Sequence, residues 1–184
     1  MLTLTFVFKT IIDLYIMLLL LRCWIHFIGC SIYNVFSQFI IKSTEKVITP
    51  LHRIIPPIRL LDIASLFVAF TLATIKFPLL TFIEARVVIL DSIYLLIGFL
   101  ALLKAAGKLI FFMVTICSLL SWISQGRTQI DVILYELSEP IMSPIRRISP
   151  DIGGIDFSAM IISIILYFLN YLGMDLFPCI WYRL

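Results

Sequence analysis

The amino-acid sequence predicts an all-helical, polytopic membrane protein built from two tandem repeats, and three observations carry that prediction. The first is composition: 62% of the 184 residues are hydrophobic and 14% are charged, with a mean hydropathy of +1.13. Soluble domains hold about 45–50% apolar and about 25% charged residues, and a chain this short has no interior large enough to hide the excess. Lipid is therefore its solvent. The second is the length of the apolar runs, since a bilayer core needs about 20 such residues as helix. The third is an internal copy. Pro50-Leu51-His52-Arg53-Ile54-Ile55-Pro56 and Pro144-Ile145-Arg146-Arg147-Ile148-Ser149-Pro150 align without a gap, and the register extends to Glu45 over Glu139 and Asp62 over Asp156. A duplication is the simplest cause.

The first run, roughly Thr10–Gly29, reads as a retained membrane helix and not as a cleaved signal, because Lys9 and Asp13 interrupt it and no small-residue cleavage site follows. Ile63–Phe82 and Phe157–Phe177 are further spans. Val87–Ile123 is too long for one crossing and carries Lys104-Ala105-Ala106-Gly107-Lys108 in its middle. A single helix would bury both lysines at about 2.5–3.5 kcal/mol each, whereas two helices with a turn would leave them at an interface. The reading favoured on this ground is two helices and five crossings. An odd number inverts the second unit, while the positive-inside tendency prefers Lys42, Lys46, Arg53 and Arg59 on the same side as Arg127, Arg146 and Arg147. If Val87–Leu103 dips without spanning, four crossings result and the conflict disappears. The units are drawn as 1–84 and 103–184, joined by a hydrophobic segment, 85–102.

Each unit also holds an amphipathic surface helix. In the first, Tyr33, Phe36, Phe39, Ile40 and Val47 form the apolar face; in the second, Ile130, Ile133, Leu134, Leu137 and Ile141 do. Pro50 and Pro56, and Pro140, Pro144 and Pro150, are expected to end these helices and redirect the chain. Gly153 and Gly154 add a turn in the second unit. Asp62 and Asp156 stand where an aspartate caps the next helix. Ser65, Ala69 and Ala73, echoed by Ala159 and Ser163, make a small-residue stripe that permits close helix packing in lipid, within the chain or between copies.

Leu120-Ser121-Trp122, Leu137-Ser138-Glu139-Pro140, the Pro144–Pro150 segment and Gly153-Gly154-Ile155-Asp156-Phe157-Ser158 together resemble the signature of the YggT family, also called YlmG. The first unit resembles the same pattern through Arg22, Trp24, Tyr33-Asn34, Phe36-Ser37-Gln38-Phe39, Pro50, Arg53, Pro56, Asp62 and Ser65. The likeness spans nearly the whole chain, in the two-unit form of gammaproteobacteria. It departs at Lys46, where proline is usual, at His52, where arginine is usual, and at Arg59-Leu60, which replaces a glycine-containing turn. The second unit is therefore expected to keep the more demanding role. The resemblance implies a small integral protein of the bacterial inner membrane, in a family linked to osmotic-stress tolerance and potassium uptake, septum-associated gene clusters, and haem maturation or nucleoid distribution in plastids. No single chemistry unites these associations, and a membrane scaffold is their common denominator.

The residues themselves offer one binding motif. Arg53, Arg146 and Arg147 sit on proline-fixed turns at headgroup level, where guanidinium forks match phosphate oxygens. Two readings stand side by side: engagement of membrane lipid or an acidic protein partner, and orientation of the helices alone. Within the spans, Lys9 and Asp13 stand four apart and can neutralise each other, while Arg22 and Lys76 are expected to snorkel toward interfaces. Cys23, Cys30, Cys117 and Cys179 lack metal-ligand or haem-attachment spacing, and His26 and His52 are unmatched. No cofactor or metal is expected. There is no nucleophile elbow or phosphate-cradling loop, so no enzyme is expected. A net charge of +3 does not favour nucleic acid. The leading expectation is a non-enzymatic inner-membrane scaffold; the alternative is a transport accessory or small channel affecting potassium or osmotic balance.

Overall fold

The computed structural model describes residues 2–29, 34–53, 61–85, 93–123, 129–148 and 157–181. These residues form α1 (Leu2–Ile28), α2 (Val35–His52), α3 (Ile63–Ala85), α4 (Ile93–Ile123), α5 (Gln129–Arg146), α6 (Ser158–Leu176) and a final turn, α7 (Pro178–Trp181). Four of them, α1, α3, α4 and α6, are long and apolar enough to cross a membrane. Their outer faces carry Phe6, Leu14, Phe67, Phe99, Leu103, Phe168 and Tyr171 in the open, as lipid-facing helices do. α1 stops at Gly29, whose φ of 71° and amide bond to the Ile25 carbonyl at 3.1 Å form a left-handed helix end.

The expected break in the fourth apolar run is absent. α4 is one helix of 31 residues that passes through Lys104-Ala105-Ala106-Gly107-Lys108 and through the boundary drawn at 102/103. The cost of Lys104 is met from a distance. Its Nζ donates to the Trp181 carbonyl at 2.9 Å and lies 5.1 Å from the centre of the Trp181 ring. Among the described residues four candidate spans stand where five were favoured. With an even number, the segment holding α2 and the segment holding α5 lie at the same end of the bundle, so the repeats are parallel.

Packing agrees with that parity. One apolar cluster joins Leu21 and Ile25 of α1, Ile40 of α2, Met113 of α4, and Ile133 and Leu137 of α5. The Trp24 indole clamps the same junction by donating to the Leu137 carbonyl at 3.0 Å. The larger core lies among α1, α3 and α4, from Ile16 and Leu19 through Ala69, Ala73 and Phe77 to Leu100 and Ala101. α3 and α4 approach closely at Gly98, where an added Cβ would lie 3.0 Å from the Thr74 backbone.

The duplication is visible in three dimensions. α2 and α5 each hold 18 residues, and their bounds differ by 94 at both ends. Their buried stripes correspond position by position: Ser37, Ile40, Thr44 and Ile48 in α2, and Asp131, Leu134, Ser138 and Met142 in α5. This corrects the expected apolar face of α2, because Phe39 and Val47 point outward and polar Ser37 and Thr44 point in. On α5, Ile133, Leu134 and Leu137 are buried as expected, whereas Ile130 is exposed and Asp131 is buried. The prolines also behave differently from expectation. Pro50 and Pro144 lie inside their helices, each two residues before the end, and α5 continues through Pro140. Proline removes an amide that would bond to the carbonyl four residues back, and two such losses on an exposed helix face are tolerated.

Candidate functional site

Helix α3 begins on a polar cluster at the α2 end of the bundle. Asp62 is buried and accepts from the Ser65 amide at 3.1 Å, which caps α3 as the sequence predicts. The same carboxylate takes three further donors: the Ser65 hydroxyl at 2.7 Å, Arg22 Nε at 3.1 Å and His52 Nε2 at 3.0 Å. Arg22 continues the network to the Thr44 hydroxyl at 2.9 Å and the Ile41 carbonyl. Burial alone pushes the Asp62 carboxyl up, but the bonds from His52, Ser65 and Arg22 outweigh it and hold the group at about 2. Arg22 therefore does not snorkel; it ties α1 to α2 and α3.

A second ion pair lies within the spans. Lys76 is 2% exposed and its Nζ donates to Asp13 Oδ1, joining α3 to α1. This too replaces snorkelling, and it gives Asp13 a partner 63 residues away in addition to the neighbour four positions back that the sequence offers. Neither partner was visible locally. The available signal was the insertion cost of a lone charge, which demands a counter-charge on a facing helix.

The three arginines separate. Arg53 and Arg147 are exposed at the ends of α2 and α5. Arg146 is half-buried, with Nη1 bonded to Tyr135 Oη at 2.9 Å and Glu139 Oε2 at 3.0 Å, and its guanidinium lies 5.2 Å from the Tyr135 ring centre. It braces α5. An open groove of about 600 Å³ beside it is lined by Ile28, Gly29, Tyr135, Glu136, Glu139, Pro140 and Ser143. Pro56, Pro150, Gly153, Gly154 and Asp156 lie outside the described residues. Of the small-residue stripe, Ser65, Ala69 and Ala73 are fully buried, while Ala159 and Ser163 are half-buried on α6. Ala69 and Ala73 face the core among α1, α3 and α4, so the first stripe packs within the chain. Cys23 and Cys117 are buried free thiols, equivalent under the repeat. Among the described residues no group of three His, Cys, Asp or Glu side chains is placed to hold a metal ion.

Four lipid-facing spans and two parallel helix–surface-helix–helix units, each with an arginine-bearing end on one face, define a duplicated polytopic membrane protein. Comparison with known families gives the same division: the CCB3/YggT family model matches twice, over residues 1–83 and 96–177, and the chain belongs to that family. It is 43% identical over 183 residues to an uncharacterised protein from the proC 3′ region of Vibrio alginolyticus, covering 99% of both chains. It is 45% identical over 168 residues to the uncharacterised YggT protein of Escherichia coli K12, covering 91% of this chain and 87% of that one. A Pseudomonas aeruginosa protein, also uncharacterised, is 30% identical over 155 residues, covering 83% of this chain and 79% of that one. No solved structure matches.

Proposed function

We propose that the protein is a non-enzymatic scaffold of the bacterial inner membrane, which presents a basic face at the cytoplasmic surface to anionic lipid headgroups or an acidic membrane-protein partner. The observation that carries this reading is the shared position of α2 and α5. Both pack on one apolar junction at the same end of the bundle, and each delivers an exposed arginine, Arg53 or Arg147, at its end. Parallel units put their charge on one side, as the positive-inside tendency requires. Arg146 is held against α5 by Glu139 and Tyr135. The repeated proline-flanked arginines favour recognition over orientation alone, since orientation needs charge but no set backbone.

The test combines sidedness with lipid composition. Single cysteines beside Pro50 and beside Pro144, in a cysteine-free background, are expected to be protected together from an impermeant reagent in intact cells. Membrane discs excised around the protein are expected to be enriched in anionic phospholipid or to retain an acidic protein, and Arg53→Glu with Arg147→Glu is expected to abolish this. Labelling of one site only, or unchanged disc contents, would refute the proposal. A second reading, an accessory to ion transport, has the Asp13–Lys76 pair within the spans in its favour. It requires a conductance in liposomes that is lost when that pair is removed and unaffected by the arginine reversals.

A further inference from the structure

The seam between the two units is built by α3 and α4. These helices run antiparallel and touch most closely where Gly98 meets the Thr74 backbone. One turn toward the α2 and α5 end of the bundle, Phe70 of α3 comes opposite Ala101 of α4. One turn the other way, Phe77 closes the seam. Ala101 and Phe77 are 8% and 6% exposed and belong to the core that joins α1, α3 and α4.

The repeat presents both sides of this seam a second time, and there they are open. At the offset of 94 residues, α6 corresponds to α3 and α1 to α4. The counterpart of Phe77 is Tyr171, 63% exposed, and that of Ala101 is Val7, 49% exposed. Ile164 and Phe168, the counterparts of Phe70 and Thr74, are exposed as well. α6 packs on α4, α5 and the final turn, and 11% of its span is buried against 28% in α3. Lipid covers an apolar face at no cost, so these side chains alone do not call for protein. Tyr167 does. It is the tenth of the nineteen residues of α6, about 13 Å of helix from either end. Its ring rests edge-on against Phe111 at 5.8 Å, its side chain is exposed, and its hydroxyl has no hydrogen-bond partner among the described residues. Neither headgroup nor water reaches that depth, and an unbonded hydroxyl there carries a cost that a facing helix removes.

We propose that α6 of one copy packs antiparallel on α1 of a second copy, in the register of the α3–α4 seam, so that the protein assembles head to tail in the membrane. The parallel repeats permit this. α6 and α1 run in opposite directions, and Ile164 and Val7 lie at one depth as Phe70 and Ala101 do, so both copies keep the same orientation across the bilayer. An inverted repeat would require the second copy to be turned over. The occupant is a second copy because the face that completes α6 is already part of the chain, open on its first helix. Larger side chains stand at the counterparts, Val7 for Ala101 and Phe168 for Thr74, so the helix axes lie further apart than within the chain. A contact between unlike faces closes into a ring when the successive rotations complete a turn, and otherwise runs on as a row. Either way the basic ends of α2 and α5 are multiplied on one face, whatever those ends bind.

The test is cross-linking of the full chain in native membrane vesicles, with Cys23, Cys30, Cys117 and Cys179 replaced by alanine. Two differently tagged forms are co-expressed, one carrying Val7→Cys and the other Ile164→Cys, and oxidised with copper phenanthroline. The expected product is a dimer bearing both tags, lost when either form is expressed alone. A chain carrying Phe70→Cys with Ala101→Cys, joined within itself, shows that oxidation reaches this depth. A reactive control without the mixed dimer overturns the proposal. So does a dimer formed by Val7→Cys alone or by Ile164→Cys alone, which means that two like faces meet. Polymer-excised membrane discs supply a second measurement, with copies counted by stepwise photobleaching of a fluorescent tag on the unsubstituted chain. More than one copy per disc is expected, and a single copy overturns the proposal whatever the cross-linking yields.

Discussion

Replacing Asp62 by alanine removes at one stroke the cap of α3 and the anion that ties α1, α2 and α3 together. The loss of the Ser65 amide bond at 3.1 Å corresponds to a helix cap, about 1 kcal/mol. The larger effect is on Arg22. Its side chain is 14% exposed, and without Asp62 it keeps the Thr44 hydroxyl and the Ile41 carbonyl but no counter-charge. Breaking a buried pair costs about 3–5 kcal/mol, and the two remaining acceptors place this case at the low end. Asp62→Ala is therefore expected to destabilise the assembled bundle by about 4 kcal/mol, read by SDS titration in mixed micelles with circular dichroism. Adding Arg22→Met removes the stranded charge and should restore most of the loss, leaving the cap.

The pH dependence supplies an independent check. The Asp62 carboxyl is depressed in the assembled state, from an ordinary 3.8 to about 2. A depressed carboxylate contributes stability that is fully present above 3.8 and disappears as pH falls through about 2; the depression corresponds to roughly 2 kcal/mol. Asp62→Asn, which keeps the size of the side chain but not its charge, should abolish that acid-sensitive component and, like Asp62→Ala, leave Arg22 without its counter-charge. An Asp62→Ala variant within about 1 kcal/mol of the parent, or an acid transition between those pH values that Asp62→Asn leaves unchanged, would refute the reasoning that Asp62 is the hub of the first unit.

Three other perturbations address the spans. Asp13→Asn or Lys76→Met alone should each destabilise by about 3 kcal/mol in the same micelle titration, and the two together should cost less than either, because no unpaired charge remains. Gly98→Ala should cost about 1–3 kcal/mol by pushing α4 off the Thr74 backbone, visible as a lower thermal midpoint in detergent. Ala105→Pro should cost about 3 kcal/mol or more and reduce helix content by circular dichroism, since it breaks α4 in mid-span; a turn at this place would tolerate it.

What could be read from the sequence was whatever depends on composition and neighbours. The membrane class follows from hydropathy, the repeat from identity at a fixed offset, and the Asp62 cap from its place before an apolar run. Burial in lipid is different. The outer face of a membrane helix is as apolar as the inner one, so hydrophobic pattern no longer marks the inside. That is why Phe39 and Val47 looked like the packing face of α2 while Ser37 and Thr44 hold it. The ion pairs failed to show for a related reason: Arg22 meets Asp62 across 40 positions and Lys76 meets Asp13 across 63, and only the fold brings them together.

Those long-range pairs also explain how one repeat diverged from the other without losing its shape. The position equivalent to Arg22 in the second unit is Ile116, and the position equivalent to Lys76 is Asn170. Asn170 accepts from the Trp181 indole at 3.0 Å, so a neutral bond to the chain's final turn stands where the first unit uses an ion pair. His52, one of the departures from the family pattern, donates to Asp62 and so belongs to the first unit's charged cluster. The aligned stripes of α2 and α5 kept the architecture, and the charged partners changed around them. The architecture common to both units is thus an arrangement of small and polar contacts, while the charged partners that tie the helices together differ between them.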